Sequence, residues 1–434
     1  MVKRPIQVYL DSSDISRFAD VIRGRGDRDD ETLFNQLQAL AQKGDAQFPF
    51  SSLHVSEAAP WDDASIAPAT ARFEILETLS LRAAFRAFSE LPALDAFAYS
   101  LEGSNVSAKP VDRYKFHGRS DHGEWLPGLP KLFEEISTSI RLLHLDPMAL
   151  AAEQDLLPKM NRRQRREAQY RAKTMTRTDV IRTQIESNWD GMYERICSMW
   201  PLSRSDSDVW KRFFKSTKPD PIPVYISFRN GFAEPKRLIR FLAPGGGTLN
   251  NELTSWMRNS SEKLLEAVDH ATKLRTLLSR TSFGGVKRDM RREAVEFGRD
   301  FQARWLLRER KDIETELVDT YNSYLLSGQI TSACPTCPPV EVIAKFPSVS
   351  NRVSVFRSYI EKVILPIETN RSREKYRSDV GDMMHAQYIP YCDIFRCDGF
   401  AATYLSTSAK KFDTSLVASR KQLLLEINHR LARD

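Results

Sequence analysis

Short apolar runs alternate with segments of helical period at the start of the chain. Residues 6–10 are a β-prone run, and apolar residues then recur at helical spacing through 14–23. A second helix is predicted to end near Gly44, and a strand over 48–52 leads into a third helix. This order, β-α-α-β-α, predicts a parallel sheet flanked by helices.

The same alternation returns at the end of the chain. A helical run that begins at residue 378 is ended by Pro390, because proline cannot continue a helix. Residues 393–397 then form a short, mostly apolar strand, and a further strand at 415–418 precedes a terminal helix at 420–431. Neither end of the chain contains enough strands to build a sheet alone.

The middle of the chain has mostly helical period. Predicted helices cover 69–90, most of 131–216, 250–281, 286–327 and 350–364. An alternating run at 222–228 predicts a strand, with 237–243 as its partner.

These patterns predict an α/β protein of two domains. Residues 1–100 and 370–434 are the two halves of one domain with a parallel sheet, and residues 101–369 are a mostly helical domain inserted between them. The termini of a domain often lie close together, so a domain split in this way is physically reasonable.

Composition is that of an ordinary globular protein, with 41% hydrophobic and 28% charged residues. No apolar run approaches the ~20 residues that cross a bilayer, and the first residues turn acidic too early for a secretory signal. We therefore expect a cytoplasmic protein without a membrane partner. The net charge of +7 permits a polyanionic partner.

The chain has five cysteines, an odd number. Cys334 and Cys337 form a Cys-Pro-Thr-Cys pair, and with Cys392 and Cys397 they suggest a four-cysteine zinc site. Against this, Cys392 and Cys397 are five positions apart and point to opposite faces of a strand. Reduced thiols are the preferred interpretation.

Acidic residues follow two of the predicted strands. Asp11 comes after the first strand and Asp398 after the strand at 393–397, while Asp379 and Asp382 share a face of the helix between. Ligands of α/β sheets bind outside the carboxyl ends of the strands. Carboxylate oxygens suit Mg²⁺ or Mn²⁺, so these acids predict a metal site.

The segments LDSSDIS, FPFSSLHVSE and DVGDMMHAQYIPYCDIFRCD, taken together and in this order, resemble the PIN-domain nucleases. The resemblance covers about the first hundred and the last sixty residues. Its acidic residues correspond here to Asp11, Glu57, Asp382 or Asp379, and Asp398. The resemblance implies an endoribonuclease that needs Mg²⁺ or Mn²⁺, of the kind found among toxins and defence effectors.

Each acid has a predicted role in such a site. Asp11 and Asp398 are the first-choice metal ligands, and Asp382 reaches the same ion from its helix. Glu57 binds through water or orients the attacking water. The sequence does not decide between Asp379 and Asp382 as the ligand carried by the helix.

Structural interpretations of the same residues stay open. Asp11 fits a helix N-cap, Asp379 complements the dipole at a helix start, and Asp398 before a glycine fits a turn. His54 and His385 are more typical of packed helix residues than of ligands. A catalytically silent RNA-binding or scaffold protein, or a DNA nuclease, would have the same sequence features.

A basic run at 159–177 contains eight Lys or Arg residues and one acid. It fits a helix that contacts phosphates, or else a solvated face. The predicted nucleic-acid contacts are Arg162, Arg163, Arg165, Arg166, Arg171, Lys173 and Arg177. The sequence favours RNA over DNA only through the family resemblance, and it identifies neither a regulatory protein nor an oligomeric state.

Overall fold

The structure is a computed structural model. It describes residues 4–102, 119–120, 124–126, 128–143, 161–163, 166, 177–216, 218–243, 262, 269, 273, 286–328, 333–364 and 376–433. The predicted helix at 250–281 lies outside this part of the chain, apart from three positions. The protein is mostly helical with a small parallel sheet flanked by helices, so the predicted α/β class is confirmed.

The first third of the chain, up to residue 143, contains four strands and six α-helices in the described ranges. They are β1 (Ile6–Tyr9), α1 (Ser12–Ile22), α2 (Arg28–Lys43), β2 (Ala46–Gln47), α3 (Ser52–Ala58), α4 (Ile66–Ser80), β3 (Ala84–Phe85), α5 (Leu91–Glu102), β4 (Arg119–Ser120) and α6 (Leu129–Leu143).

The rest of the chain contains ten described helices and two strands. They are α7 (Arg177–Met199), α8 (Ser207–Lys215), α9 (Pro221–Phe232), α10 (Pro235–Leu242), α11 (Val286–Leu326), α12 (Val340–Ile343), α13 (Pro347–Tyr359), α14 (Tyr376–His385), β5 (Ile394–Arg396), α15 (Gly399–Lys411), β6 (Ser415–Val417) and α16 (Arg420–Arg433).

The chain divides into two compact units. One comprises residues 1–127, 232–321 and 332–434, and the other comprises 128–231 and 322–331. The predicted helical insertion at 101–369 stays a prediction.

The main sheet joins the two ends of the chain. Its strand order is β2-β1-β5-β6 and every pair is parallel. Val8 lies opposite Ile394 and Tyr9 opposite Phe395. All four residues of β1 are buried, as expected for a strand covered on both faces. β3 and β4 form a separate antiparallel pair.

Caps set the ends of the first two helices. The side chain of Asp11 caps α1, and that of Asp27 caps α2. Gly44 follows α2 with a φ of 75°, a conformation that glycine adopts without a Cβ clash. The predicted end near Gly44 is confirmed. The long helix α11 likewise stops before Gly328, as the sequence predicts.

Two boundaries predicted within the first hundred residues are wrong. The helix at 69–90 ends at Ser80, because Leu81 and Arg82 adopt positive φ angles of 48° and 71° and lead into β3. The strand at 48–52 is replaced by β2 at Ala46–Gln47, with a single bridge from Phe50 to Ala84.

The predicted strand at 222–228 is wrong as well. These residues belong to helix α9. Its prolines lie in the first turn, where a backbone amide would have no partner within the helix. Val224, Tyr225, Phe228 and Phe232 are buried on one side of the helix, and Ile222 and Ile226 lie on the opposite side. Apolar residues on both sides hide the helical period. Its proposed partner at 237–243 is also helical, in α10.

The described helices include none that is both long and apolar enough to span a bilayer.

Candidate functional site

Asp11 and Asp398 lie at the carboxyl edge of the sheet. Asp11 follows β1 by two residues and Asp398 follows β5 by two residues. Because β1 and β5 are neighbours in parallel register, about 4.8 Å apart, both acids lie at the same edge. The topology therefore places two acids from opposite ends of the chain at one edge of the sheet.

Both of these acids are also helix caps. Oδ1 of Asp11 accepts a hydrogen bond of 2.7 Å from the amide of Ser13, and Oδ1 of Asp398 accepts one of 2.6 Å from the amide of Ala401. The cap interpretation of Asp11 is therefore correct, and Asp398 is a cap as well. Each cap uses one carboxylate oxygen, so the second oxygen of each acid is available to a ligand.

Asp382 adds a third carboxylate from α14. Its pKa is raised to about 7 by burial first, and then by the negative charges of Asp398, Asp11 and Asp379. His385 opposes this shift. Asp382 thus interacts electrostatically with both strand-end acids, and the three carboxylates repel one another unless positive charge joins them.

Asp379 has a different environment one turn earlier. It is 1% exposed, and its Oδ2 accepts a hydrogen bond of 2.9 Å from the hydroxyl of Tyr359 on α13. This bond directs the Asp379 carboxylate to the protein interior. Of the two candidates on this helix, Asp382 is the half-buried one that interacts with the strand-end acids.

Glu57 reaches the same region from the last turn of α3. Its Oε2 lies 3.2 Å from Nε2 of His385, and a Cβ at Gly381 would lie 3.8 Å from its Oε1. Partial burial raises the pKa of Glu57, but His385 and Ser12 lower it by more, to about 2. Glu57 is therefore ionised at neutral pH.

His385 joins Glu57 to the sheet. Its Nδ1 lies 2.6 Å from the hydroxyl of Tyr9, which lies 2.8 Å from Oγ of Ser51. Burial lowers the pKa of His385, but Glu57, Asp11 and Asp382 raise it by more. The sequence suggests a packed helix residue for His385, and its side chain is indeed only 12% exposed. The same side chain also forms an ion-pair contact with Glu57, a predicted site residue.

His54 has a structural role. Its Nε2 donates to the carbonyl of Leu10 at 3.0 Å, and its Nδ1 accepts from the amide of Ser51 at 3.1 Å. Burial and the neighbouring His385 lower its pKa to about 4, so the ring is neutral. Because Leu10 directly precedes Asp11, this bond fixes the end of β1.

Asp14 lies behind Asp11 in a buried ion pair. Its two carboxylate oxygens lie 3.3 Å and 3.1 Å from Nη2 and Nε of Arg396. Burial raises the pKa of Asp14 to about 6, against the lowering effect of Arg396, and Asp11 raises it further. The pair holds the first turn of α1 to β5.

Tyr404 on α15 belongs to the same region and is not apparent from the sequence. Its ring is fully buried, and its hydroxyl has no hydrogen-bond partner among the described residues. Burial raises its pKa above the usual value, and Asp382 and Asp379 raise it further. A tyrosine in the middle of an amphipathic helix gives no signal of such a position.

The donor set fits a hard cation, because its groups are carboxylate oxygens. In the described part of the chain, however, no group of three or more His, Cys, Asp or Glu side chains is arranged to hold a metal ion as it stands. All five cysteines are free thiols.

The basic run is described only in part. Arg162, Arg163 and Arg166 are exposed, and Arg177 begins α7. Arg165, Arg171 and Lys173 lie outside the described residues. Whether this run binds nucleic acid stays a prediction.

Comparisons with family models, with curated proteins and with solved structures found no match to this chain.

Proposed function

We propose that the protein is an endoribonuclease that hydrolyses RNA phosphodiester bonds with Mg²⁺ or Mn²⁺ at the carboxyl edge of its sheet. The observation that carries this proposal is geometric: the neighbouring parallel strands β1 and β5 place Asp11 and Asp398 at one edge of the sheet, and both acids raise the pKa of Asp382. Three carboxylates that compete for a proton form a site that a divalent cation would stabilise.

Asp11, Asp382 and Asp398 would hold the ion. When bound, such an ion lowers the pKa of a water and polarises a phosphoryl oxygen. Glu57 stays ionised at neutral pH, so its carboxylate would accept a hydrogen bond from the attacking water and orient it. The proton of that water passes to solvent as the water oxygen bonds to phosphorus. The bond from phosphorus to the leaving oxygen then breaks, and the leaving oxygen takes a proton from solvent.

His385 positions Glu57 in this proposal. Its ring is fixed on one side by Tyr9, so the ion-pair contact of 3.2 Å between its Nε2 and Oε2 of Glu57 restrains the Glu57 carboxylate. A carboxylate that is already restrained by a neighbouring side chain loses little entropy when it orients the attacking water.

RNA is the proposed substrate on the strength of the family resemblance, and a basic pI of about 9.0 supports a polyanionic partner. A cytoplasmic toxin or defence effector is the proposed setting.

A second candidate is a catalytically silent RNA-binding or scaffold protein. It is favoured by one observation: Asp11 and Asp398 both serve as helix caps, a role that explains their positions without a metal. Under this alternative the acids stabilise α1 and α15, and the site has no catalytic function.

The experiment that separates the two uses purified protein and a labelled unstructured RNA, with Mn²⁺ and then with excess chelator. Asp11→Asn and Asp398→Asn are the test variants, because Asn is as good an N-cap as Asp and keeps the fold intact. We expect wild-type cleavage that is lost in chelator and in both variants. A parallel assay with DNA of the same sequence tests the DNA nuclease alternative.

Two results would contradict the proposal. Wild-type protein that binds RNA without cleaving it would support the silent alternative. Cleavage that persists undiminished in both Asn variants would show that the activity belongs to another site or to a contaminant.

A further inference from the structure

Trp61 exposes its side chain to solvent. Its exposed fraction is 81%, the highest among the exposed large hydrophobic residues of the described chain. Tryptophan is usually well buried, because its large ring gains more than other side chains from leaving water. Both faces of such an exposed ring are accessible to a ligand.

The backbone that carries this ring is fixed. The amides of Trp61 and Asp62 both donate to Oγ of Ser65, at 2.9 Å and 3.0 Å, and the Ser65 hydroxyl donates back to the carbonyl of Asp62 at 2.7 Å. Ser65 is buried, and so is Pro60, whose ring restricts the backbone on the other side. The indole is thus an exposed ring on a rigid support.

The ring lies close to the candidate site along the chain. Trp61 is four residues beyond Glu57, so the two Cα atoms are at most about 14 Å apart. Between them, Nη2 of Arg72 donates to the carbonyl of Ala58 at 3.2 Å, which places a guanidinium group beside this segment.

We propose that Trp61 is a stacking platform for an unpaired nucleobase of the RNA bound at the carboxyl edge of the sheet. This inference rests on the proposed function. A base in a single strand can stack its face on an aromatic ring, whereas the bases of a duplex are already stacked on each other. The substrate class that follows is single-stranded RNA, or an unpaired loop.

A nucleobase explains this surface better than an apolar protein partner does. Asp62 and Asp63 adjoin the ring and are exposed, so a protein partner that covered the ring with an apolar face would bury their charges. A base stacks on one face of the ring and leaves these carboxylates in water. The rigid support also lowers the entropy cost of binding.

The test measures equilibrium binding of a labelled, unstructured RNA in the Asp11→Asn background, where cleavage is absent. Trp61→Ala should weaken binding by about 5- to 150-fold, the range for loss of one stacked base. Trp61→Phe should restore much of the affinity, because phenylalanine keeps a stacking face. Leu425→Ala is the matched control, since Leu425 is 69% exposed on α16 and should change nothing.

A duplex RNA of the same sequence gives the second comparison. We expect it to bind more weakly than the single strand to the parent protein, and equally to parent and Trp61→Ala. Single-strand affinity that is the same in parent and Trp61→Ala would overturn the inference while leaving the nuclease proposal intact. No RNA binding by the parent protein would overturn both. A change in self-association alone, seen by sedimentation of Trp61→Ala, would identify a protein contact and also overturn the inference.

Discussion

The hydroxyl of Tyr9 lies 2.6 Å from Nδ1 of His385, and this bond connects residues 376 positions apart in the sequence. Tyr9 is the last residue of β1, and His385 is the last residue of α14, the helix that carries Asp382. Through the other nitrogen of His385 the connection extends to Glu57. The bond therefore ties three of the elements that form the carboxyl edge of the sheet.

Replacing His385 should impair the proposed reaction without unfolding the protein. His385→Ala frees the Glu57 carboxylate, and the loss of a positioning partner typically costs about 10- to 100-fold in activity. We expect this loss in kcat, with little change in KM for RNA, and partial recovery in His385→Gln, whose amide can donate to Glu57. Steady-state kinetics measures both, with the exposed His429→Ala as control. Equal kcat in His385→Ala and wild type would refute the positioning role.

Replacing Asp382 should change how stability depends on pH. Its pKa is about 7 in the folded protein and lower in the unfolded chain, so the folded state binds this proton more tightly. The corresponding stability is fully present below about pH 4 and is lost as pH rises through 7. Asn does not titrate, so Asp382→Asn should gain about 1–2 kcal/mol relative to wild type between pH 4 and pH 8 after allowance for partial exposure.

Urea denaturation at the two pH values, without divalent cations, measures this difference. Parallel pH dependence in the two proteins would show that Asp382 does not hold a proton at pH 7. Added Mn²⁺ at pH 8 should then raise the stability of wild type but not of Asp382→Asn, because only the folded wild type binds the ion.

Removing Arg396 should destabilise the fold around Asp14. Arg396→Met leaves the Asp14 carboxylate buried and without its closest cation, which typically costs about 3–5 kcal/mol. The double variant Asp14→Asn with Arg396→Met should recover part of this loss, since no buried charge is left unpaired. Chemical denaturation of wild type, Asp14→Asn, Arg396→Met and the double variant gives the coupling energy between the two side chains. A double variant no more stable than Arg396→Met would show that packing, and not charge, is lost.

The basic run should contribute affinity for nucleic acid. Replacing Arg162, Arg163, Arg165 and Arg166 with Glu should make RNA binding less dependent on salt. The slope of the logarithm of the binding constant against the logarithm of the salt concentration should fall in magnitude by roughly 0.7 for each phosphate contact that is lost. Three of these residues are exposed, so the fold should be retained. Titrations at several salt concentrations measure the slope. An unchanged slope would identify the run as a solvated face.

Local patterns in the sequence determine much of the fold. The strands β1, β5 and β6, the cap of α1 at Asp11 and the stop at Gly44 all follow from residues within a few positions of one another. Periodicity and capping depend on hydrogen bonds between near neighbours, so they can be predicted without the rest of the protein. The acids that follow β1 and β5 could be predicted for the same reason.

Other features depend on residues far apart in the chain. Helix α9 has apolar residues on its buried side and on the opposite side, so its apolar pattern does not distinguish a helix from a strand, and packing decides. Asp379 and Asp382 are equivalent in the sequence, but the hydroxyl of Tyr359 bonds to the first and directs it inward.

The contacts of the candidate site also depend on tertiary structure. The bond from His385 to Tyr9 and the exposure of Trp61 have no sequence signal, since a side chain's partners and its burial depend on which elements pack against it. The sequence by itself determined the strands β1, β5 and β6, the cap at Asp11 and the acids that follow β1 and β5. The tertiary structure decided which of those acids meet, because only packing brings the two ends of the chain together at one edge of the sheet.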